Sequence, residues 1–387
     1  MKRARILTFH RVVNNGAVLQ NAALLQHLQA RFPSWDVKTL DYEPWNTTAA
    51  EILRAAKTHP QSPLFGIRRY RIFREAVNRE IALDPALSKC ARYETLVEQL
   101  RRQDYDLLIT GSDCIWRVTD SFQFPPFPSI FWLSDTLPAK KLAYAVSANK
   151  YKPPLVRRHR DTIRRLANAF DCLTVRDADT EEMLRSCGVT RELHRMPDPA
   201  FLYTITPTRA AEKMKQVGID LDRPVVGLLY YGAHPKVAEI VRLLRKQGYQ
   251  VAALSMFSPY ADVNLGDVLD PFEWAEAFKY LQICVTDRFH GTVFCLKNET
   301  PFLAIETSNL PKERCKKAQL LSAFGLDQLY FNLNDPQYDV SLFEARLKST
   351  LEDWQGSHVA KVRDSLEQVE NERAALAPHI EALMSDV

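Results

Sequence analysis

Ile283-Cys284-Val285-Thr286-Asp287-Arg288-Phe289-His290-Gly291 condenses the pattern that decides the fold. A short apolar run enters a charged turn, and a second apolar stretch, Val293-Phe294-Cys295-Leu296, follows as a helix. Continuous apolar runs of this length suit strands covered by helices on both faces. The unit recurs. Ile6-Leu7-Thr8-Phe9 precedes Asn14-Asn15-Gly16 and a helix from about Ala17 to Ala30, with Leu19, Ala22, Leu25 and Leu28 on one face. Leu107-Leu108-Ile109-Thr110 ends in Gly111-Ser112-Asp113, and Leu142-Ala143-Tyr144-Ala145-Val146 in Ser147-Ala148-Asn149. Cys172-Leu173-Thr174-Val175 ends in Arg176-Asp177. After a proline-containing segment at 197–207 the pattern restarts at Val225, with a helix over 236–247 and strands near 249–254 and 301–305. Strands alternating with helices build parallel sheets from βαβ units. The restart predicts two Rossmann-like, doubly wound α/β domains facing a cleft. They span 1–205, with a helical insertion at about 50–103, and 206–339, with a helical tail at 340–387.

Composition narrows the function classes. A chain of 387 residues, 46% hydrophobic, can bury two cores. The 51 basic and 47 acidic side chains leave a net charge of only +4, too little for a nucleic-acid footprint. Mean hydropathy is −0.26, and no apolar run approaches the roughly 18 residues of a transmembrane helix. The start turns polar too early for a signal peptide. Seven cysteines, at 90, 114, 172, 187, 284, 295 and 315, lack CxxC spacing. They read as reduced thiols in a cytoplasmic protein, with neither a disulfide framework nor a structural zinc site. Charge concentrates locally. Residues 54–103 hold eleven basic side chains (Arg54, Lys57, Arg68, Arg69, Arg71, Arg74, Arg79, Lys89, Arg92, Arg101 and Arg102) against five acidic ones. Arg157-Arg158-His159-Arg160 with Arg164-Arg165 forms a second run. These are either solvated helix faces or a surface for an anionic partner, such as a lipid-linked sugar diphosphate or the inner face of a membrane.

Open parallel sheets bind ligands at the carboxyl ends of their strands, and the informative polar groups fall at those ends. In Asp287-Arg288-Phe289-His290-Gly291-Thr292, Gly291 permits close backbone approach and the following helix offers free N–H groups for phosphate. Arg288 supplies a fork of donors, and His290 a proton that moves near neutral pH. The structural alternative is that Arg288 pairs with Asp287 while His290 caps the helix. Gly111-Ser112-Asp113 offers acceptors for a hydroxyl-rich ligand and, in Asp113, a general base; it could equally be a helix cap. Trp116 either stacks on a sugar ring or fills the core. Asn14-Asn15-Gly16 is an anion nest or a capped turn. Asp177-x-Asp179 has a metal-binding spacing, but the acidic run through Glu181 and Glu182 suits a helix N-terminus, so no metal is expected. Arg176, just before it, is the ligand contact. The motifs GxGxxG, GxxxxGK[ST], HExxH and GxSxG do not occur, which disfavours dinucleotide and P-loop chemistry. His10, His27, His59, His159, His194 and His234 lack ligand spacing and read as structural or surface residues.

Taken in order, these segments resemble the polysaccharide pyruvyl transferases over about residues 5–330. The opening Thr8-Phe9-His10 to Gln20, Gly111-Ser112-Asp113-Cys114-Ile115-Trp116-Arg117, and Tyr144-Ala145-Val146-Ser147 are similar to successive family motifs. So are Val175-Arg176-Asp177, Pro197-Asp198-Pro199-Ala200-Phe201-Leu202 and Arg288-Phe289-His290-Gly291. Cys114 stands where the family usually has Gln, and Arg117 where it has Asn.

The resemblance implies a fold similar to the B-type glycosyltransferases. It also implies transfer of pyruvyl carbons from phosphoenolpyruvate to a sugar or lipid-linked glycan, forming a ketal. Phosphoenolpyruvate is then donor substrate, and no cofactor is required. Arg176, Arg288, Gly291 and Thr292 would hold the donor, with His290 as general acid and Asp113 acting on the acceptor hydroxyl. Asn14, Asn15, Gly16, Ser112 and Trp116 would contact the acceptor. A nucleotide-sugar glycosyltransferase and a non-catalytic glycan-assembly protein are the alternatives.

Overall fold

The computed structural model describes every residue except 89–91, 233, 310 and 386–387, so Lys89 and Cys90 lie outside the described residues. Seven strands form the first sheet: β1 (Lys2–Leu7), β2 (Trp35–Leu40), β3 (Leu83–Asp84), β4 (Leu107–Gly111), β5 (Lys140–Val146), β6 (Cys172–Val175) and β7 (His194–Arg195). They run parallel in the order β3-β2-β1-β4-β5-β6-β7. The second sheet holds β8 (Val225–Leu229), β9 (Gln250–Ala253), β10 (Val263–Asn264), β11 (Ile283–Thr286), β12 (Phe302–Glu306) and β13 (Tyr330–Asn332). Its order is β10-β9-β8-β11-β12-β13, again parallel throughout. Both have the Rossmann order, in which the winding reverses beside the first strand and opens a crevice at the carboxyl ends. Those switch points lie between β1 and β4 and between β8 and β11.

The helices of the first half are α1 (Asn15–Arg31), α2 (Trp45–Ala55), α3 (Phe65–Glu80), α4 (Tyr93–Arg101), α5 (Pro153–Arg158), α6 (Arg160–Asn168) and α7 (Ala178–Ser186). Those of the second are α8 (Ala210–Gln216), α9 (Pro235–Lys246), α10 (Pro271–Ala277), α11 (Phe289–Lys297), α12 (Lys316–Ala323), α13 (Val340–Asp353) and α14 (Val359–Met384). Helix α1 is buried on nearly every side rather than along one stripe; even Gln20 and Asn21 are inside. A helix buried all round leaves its polar side chains only internal partners. Asn21 accepts from Thr39 Oγ1 at 3.0 Å, and Gln20 serves the site described below.

The chain divides into two compact units, but not at the expected borders. One comprises residues 1–54, 73–204 and 369–387, the other 55–72 and 205–368. The insertion is thus shared, because packing rather than composition assigns its helices. Phe65 is buried against Phe257, ring centroids 5.5 Å apart, and Arg68 Nε donates to Asp267 at 2.7 Å. Within the insertion, Leu83–Asp84 pairs with β2 as a strand. The tail is divided as well. Trp354 is buried in the second unit, its indole N–H donating to Glu299 O at 2.7 Å, whereas Met384 O accepts from the Trp35 indole at 2.9 Å in the first.

Candidate functional site

At the first unit's switch point, Asn14 caps α1: its side chain accepts from Gly16 N at 3.1 Å, and Asn15 and Gly16 are the first helical residues. The segment is therefore a capped helix start and not an anion nest. Across from it, β4 ends at Gly111, and Ser112 and Asp113 follow with φ of +40° and +59°. Non-glycine residues enter this left-handed region at a cost of roughly 1 to 2 kcal/mol each, and only where surrounding bonds fix them. Ser112 N donates to Tyr144 O at 3.0 Å, and Asp113 O accepts from Ser147 N at 3.1 Å. Ala145 is left-handed too, at +48°, where the pairing of β5 with β6 shifts register between Ala143 and Val146. Thr174 Oγ1 accepts its N–H at 2.8 Å.

Behind this backbone lies a buried polar chain. Gln20 Nε2 donates to Ser112 Oγ at 3.0 Å and to Asp198 Oδ2 at 2.6 Å. Arg176 donates to the same Asp198 oxygen at 2.8 Å, while Asp198 Oδ1 accepts from Ala200 N at 2.9 Å. The Arg176 side chain is only 9% exposed and Asp198 is buried. Burial works against the Arg176 charge, yet Asp198, Asp113 and Asp177 together hold its pKa above the ordinary value. Arg176 is therefore not the open donor-binding guanidinium expected; its charge is already matched inside the protein. Burial and neighbouring Asp113 push the Cys114 thiol up to about 12, so it stays protonated.

One further expectation changes here, that for Trp116, while Asp177 takes the helix N-terminal place expected of it. Trp116 is fully buried, stacked on Trp132 at 4.2 Å and 14°, with its N–H on Phe131 O at 3.0 Å. It fills the core and presents no face to a sugar. Asp177 accepts from Ser147 Oγ at 2.6 Å and from Thr180 N at 3.0 Å, capping α7. Among the described residues no group of three or more His, Cys, Asp or Glu side chains could hold a metal ion.

At the second unit's switch point, α11 starts at Phe289, so His290, Gly291 and Thr292 form its first turn rather than a loop before it. Arg288 is the cap residue. Its Nε lies 2.9 Å from Asp287 Oδ1 and its guanidinium 5.4 Å from the centre of the Tyr231 ring. The pair with Asp287 that the structural alternative foresaw exists, yet the side chain remains 46% exposed and open to a ligand. Burial raises the pKa of Asp287, against the opposing pull of Arg288 and Lys317. His290 is half-buried, its ring 5.3 Å from that of Phe289. Gly291 has a packing role: a Cβ there would lie 2.3 Å from Thr286 Oγ1 and 2.8 Å from Leu229 Cδ1. Thr292 is buried with its hydroxyl on Arg288 O at 3.2 Å, so it braces the turn and does not face a donor.

Below this turn Lys317, itself buried, donates to Asp287 O at 2.7 Å, Ile305 O at 2.9 Å and Glu306 Oε2 at 3.1 Å. Burial alone would raise the Glu306 pKa, but Lys317 and the Ser308 N–H bring it down to about 2. Sequence reading missed Gln20, Asp198, Glu306 and Lys317 as site-supporting residues. Asp198 carried a signal, standing between Pro197 and Pro199, and Gln20 ends the opening Thr8–Gln20 motif; Glu306 and Lys317 carried none.

Other candidates resolve simply. His10 bonds Thr8 O and Asp41, each at 3.1 Å, and His234 caps α9 through Lys236 N at 3.2 Å. Much of the basic insertion is paired: Arg54 with Glu51, Arg68 with Asp267, Arg74 with Glu43, Arg79 with Glu80, and Arg101 and Arg102 with Glu98. In the second run, Arg164 pairs with Asp161 and Arg165 with Asp135. A hollow of about 570 Å³, lined in part by Asp171, Glu192, His194 and His379, lies at the amino end of β6 and contains none of the strand-end groups.

Two parallel sheets in Rossmann order, each with its polar groups at a switch point, place the chain in a fold class similar to the B-type glycosyltransferases. The UDP-GlcNAc 2-epimerase of Neisseria meningitidis, solved with UDP-GlcNAc, is similar over 98% of this chain and 99% of its own, with a TM-score of 0.53 and 11% identity. The S. aureus MnaA–UDP structure is similar over 98% and 96%, with a TM-score of 0.51 and 9% identity. E. coli ADP-heptose LPS heptosyltransferase II aligns over 96% and 100%, at 0.42 and 14%. No curated protein sequence matches. Residues 14–309 match the polysaccharide pyruvyl transferase family, and the chain belongs to it. Membership supports a transferase that modifies polysaccharide, with a sugar or glycan as acceptor. No helix among the described residues is long and apolar enough to cross a membrane.

Proposed function

We propose that the protein moves pyruvyl carbons from phosphoenolpyruvate to a sugar of a polysaccharide or glycan precursor, forming a pyruvate ketal. The observation that carries this is Arg288: an exposed guanidinium at the head of α11, two residues from His290. A doubly anionic donor suits that position. The arginine fork takes a carboxylate or phosphate, and the first-turn N–H groups of α11 favour negative charge. His290 delivers a proton to the methylene carbon, which leaves a cationic centre at the adjacent carbon. One sugar hydroxyl bonds to that centre and gives its proton to a base. The bond to the phosphate oxygen then breaks, phosphate departs with the electron pair, and a second hydroxyl closes the ketal on the same carbon, its proton returning to His290. Asn14, Asn15 and Ser112 line the acceptor unit's switch point. Arg176 acts as a positioning residue that fixes Asp198 and, through Gln20, Ser112.

Purified protein given phosphoenolpyruvate and a panel of sugars should release phosphate and add pyruvate mass to one acceptor. Arg288→Ala and His290→Gln should each lower turnover by about 30- to 1,000-fold, the effect of roughly 2 to 4 kcal/mol of lost transition-state stabilisation. Full turnover in both would refute the assignment. Thermal stabilisation by nucleotide sugars and none by phosphoenolpyruvate would favour a glycosyltransferase instead.

A further inference from the structure

Helix α2 is inside out. Its polar residues Asn46, Thr47 and Glu51 are buried, whereas Trp45, Ile52 and Leu53 are 56, 51 and 70% exposed. The burial is organised. Asn46 Nδ2 donates to Phe122 O at 2.9 Å and to Phe124 O at 2.5 Å, and Thr47 Oγ1 to Gln123 O at 2.9 Å. The inner polar face thus clamps the loop around 121–124. Phe122, 55% exposed, then packs edge-on against Trp45 at 5.5 Å. Residues 45, 52 and 53 fall on one helical face, so helix and loop present a single apolar plate. Four large side chains, each more than half exposed, make a patch on the order of a few hundred Å², the scale at which exposed apolar surface marks an interaction site.

We propose that this plate rests on an anionic lipid bilayer. The charge pattern selects that partner. Glu51, the one acid of α2, points inward and pairs with Arg54 at 2.5 Å, so the outward face of the helix carries no acid, and exposed Lys57 follows two residues after it in sequence. Outward Trp, Ile and Leu with a flanking lysine and no outward acid are the composition of a segment lying in a membrane interface. A second copy is a poorer occupant, because its identical plate would bring no acid from α2 to meet Lys57. The plate follows β2 through α2 and follows β4 through its loop, so it belongs to the carboxyl edge that carries Ser112 and Asp113. Docking would bring a lipid-linked acceptor to that edge; this use rests on the pyruvyl-transfer proposal, whereas the docking does not.

The test is sedimentation of the full chain with vesicles of phosphatidylcholine alone or mixed with phosphatidylglycerol. Wild type should pellet with the mixed vesicles. Trp45→Ser combined with Leu53→Glu should lose at least about tenfold in partitioning, and Lys57→Glu about fivefold. Melting temperature and phosphate release with a water-soluble acceptor should not change. If Trp45→Ser loosens the clamped loop, Leu53→Glu alone keeps the test. Wild type left in the supernatant, or a plate variant that pellets like wild type, overturns the proposal. So does a dimer, seen by light scattering, that the same variants dissolve. Pelleting without pyruvyl transfer would sink only the reaction, and transfer without pelleting only the docking.

Discussion

The switch point beside β1 and the one beside β8 are the same topological feature with opposite electrostatics. In the first unit the arginine just past β6, two strands beyond the switch-point strand β4, turns inward and meets a buried carboxylate, Arg176 on Asp198 at 2.8 Å. In the second, an arginine two residues past the strand pairs with its neighbour Asp287 but stays at the surface. The first unit uses its charge to hold a strained backbone at Ser112 and Asp113 in place. The second keeps its charge for whatever arrives from solvent. Position at a strand end therefore does not by itself give an arginine its role. The presence of a buried counter-ion decides it.

Breaking each arrangement should give different signatures. The largest effect is expected from Asp198→Ala, which strands a buried guanidinium and should cost about 3 to 5 kcal/mol in chemical denaturation. Arg288→Ala should stay within about 1 kcal/mol of wild type, because the guanidinium it removes is 46% exposed and Asp287, its pKa already raised by burial, can take up a proton in its place. Equal losses in the two variants would erase the contrast.

Acid should then expose the supporting pair of the second unit. Glu306 has a pKa depressed from 4.5 to about 2, so its contribution is present above about pH 4.5 and is lost as pH falls toward 2. The loss should be on the order of 2 to 3 kcal/mol at most. Stability curves between pH 5 and 2, read beside those of Glu306→Gln, check this; the variant should be weaker at neutral pH and flatter in acid. A smaller effect, about 1 to 2 kcal/mol, is expected of Gly291→Ala, where overpacking against Thr286 and Leu229 outweighs the gain in helix propensity. An unchanged melting curve there would restore the view that this glycine makes room for a ligand.

Sequence alone determined the alternation of strands and helices, the restart after residue 207 and the strand ends at which polar groups collect. Those follow from local rules: apolar runs of strand length, turn residues behind them, helical periodicity after that. The ordered motifs carried the family. Tertiary structure decided which polar groups face solvent. Trp116 and Thr292 stand in motifs that look functional, yet one stacks on Trp132 and the other braces Arg288, both out of reach of water. Nothing local reveals what Gln20, Lys317 or the left-handed Ala145 bonds to, because their partners lie 178, 11 and 29 residues away in Asp198, Glu306 and Thr174. The divided ownership of the insertion and tail has the same origin. Burial and counter-ion pairing are properties of the packed chain, and they fix whether a charged or aromatic side chain supports the site or meets the substrate.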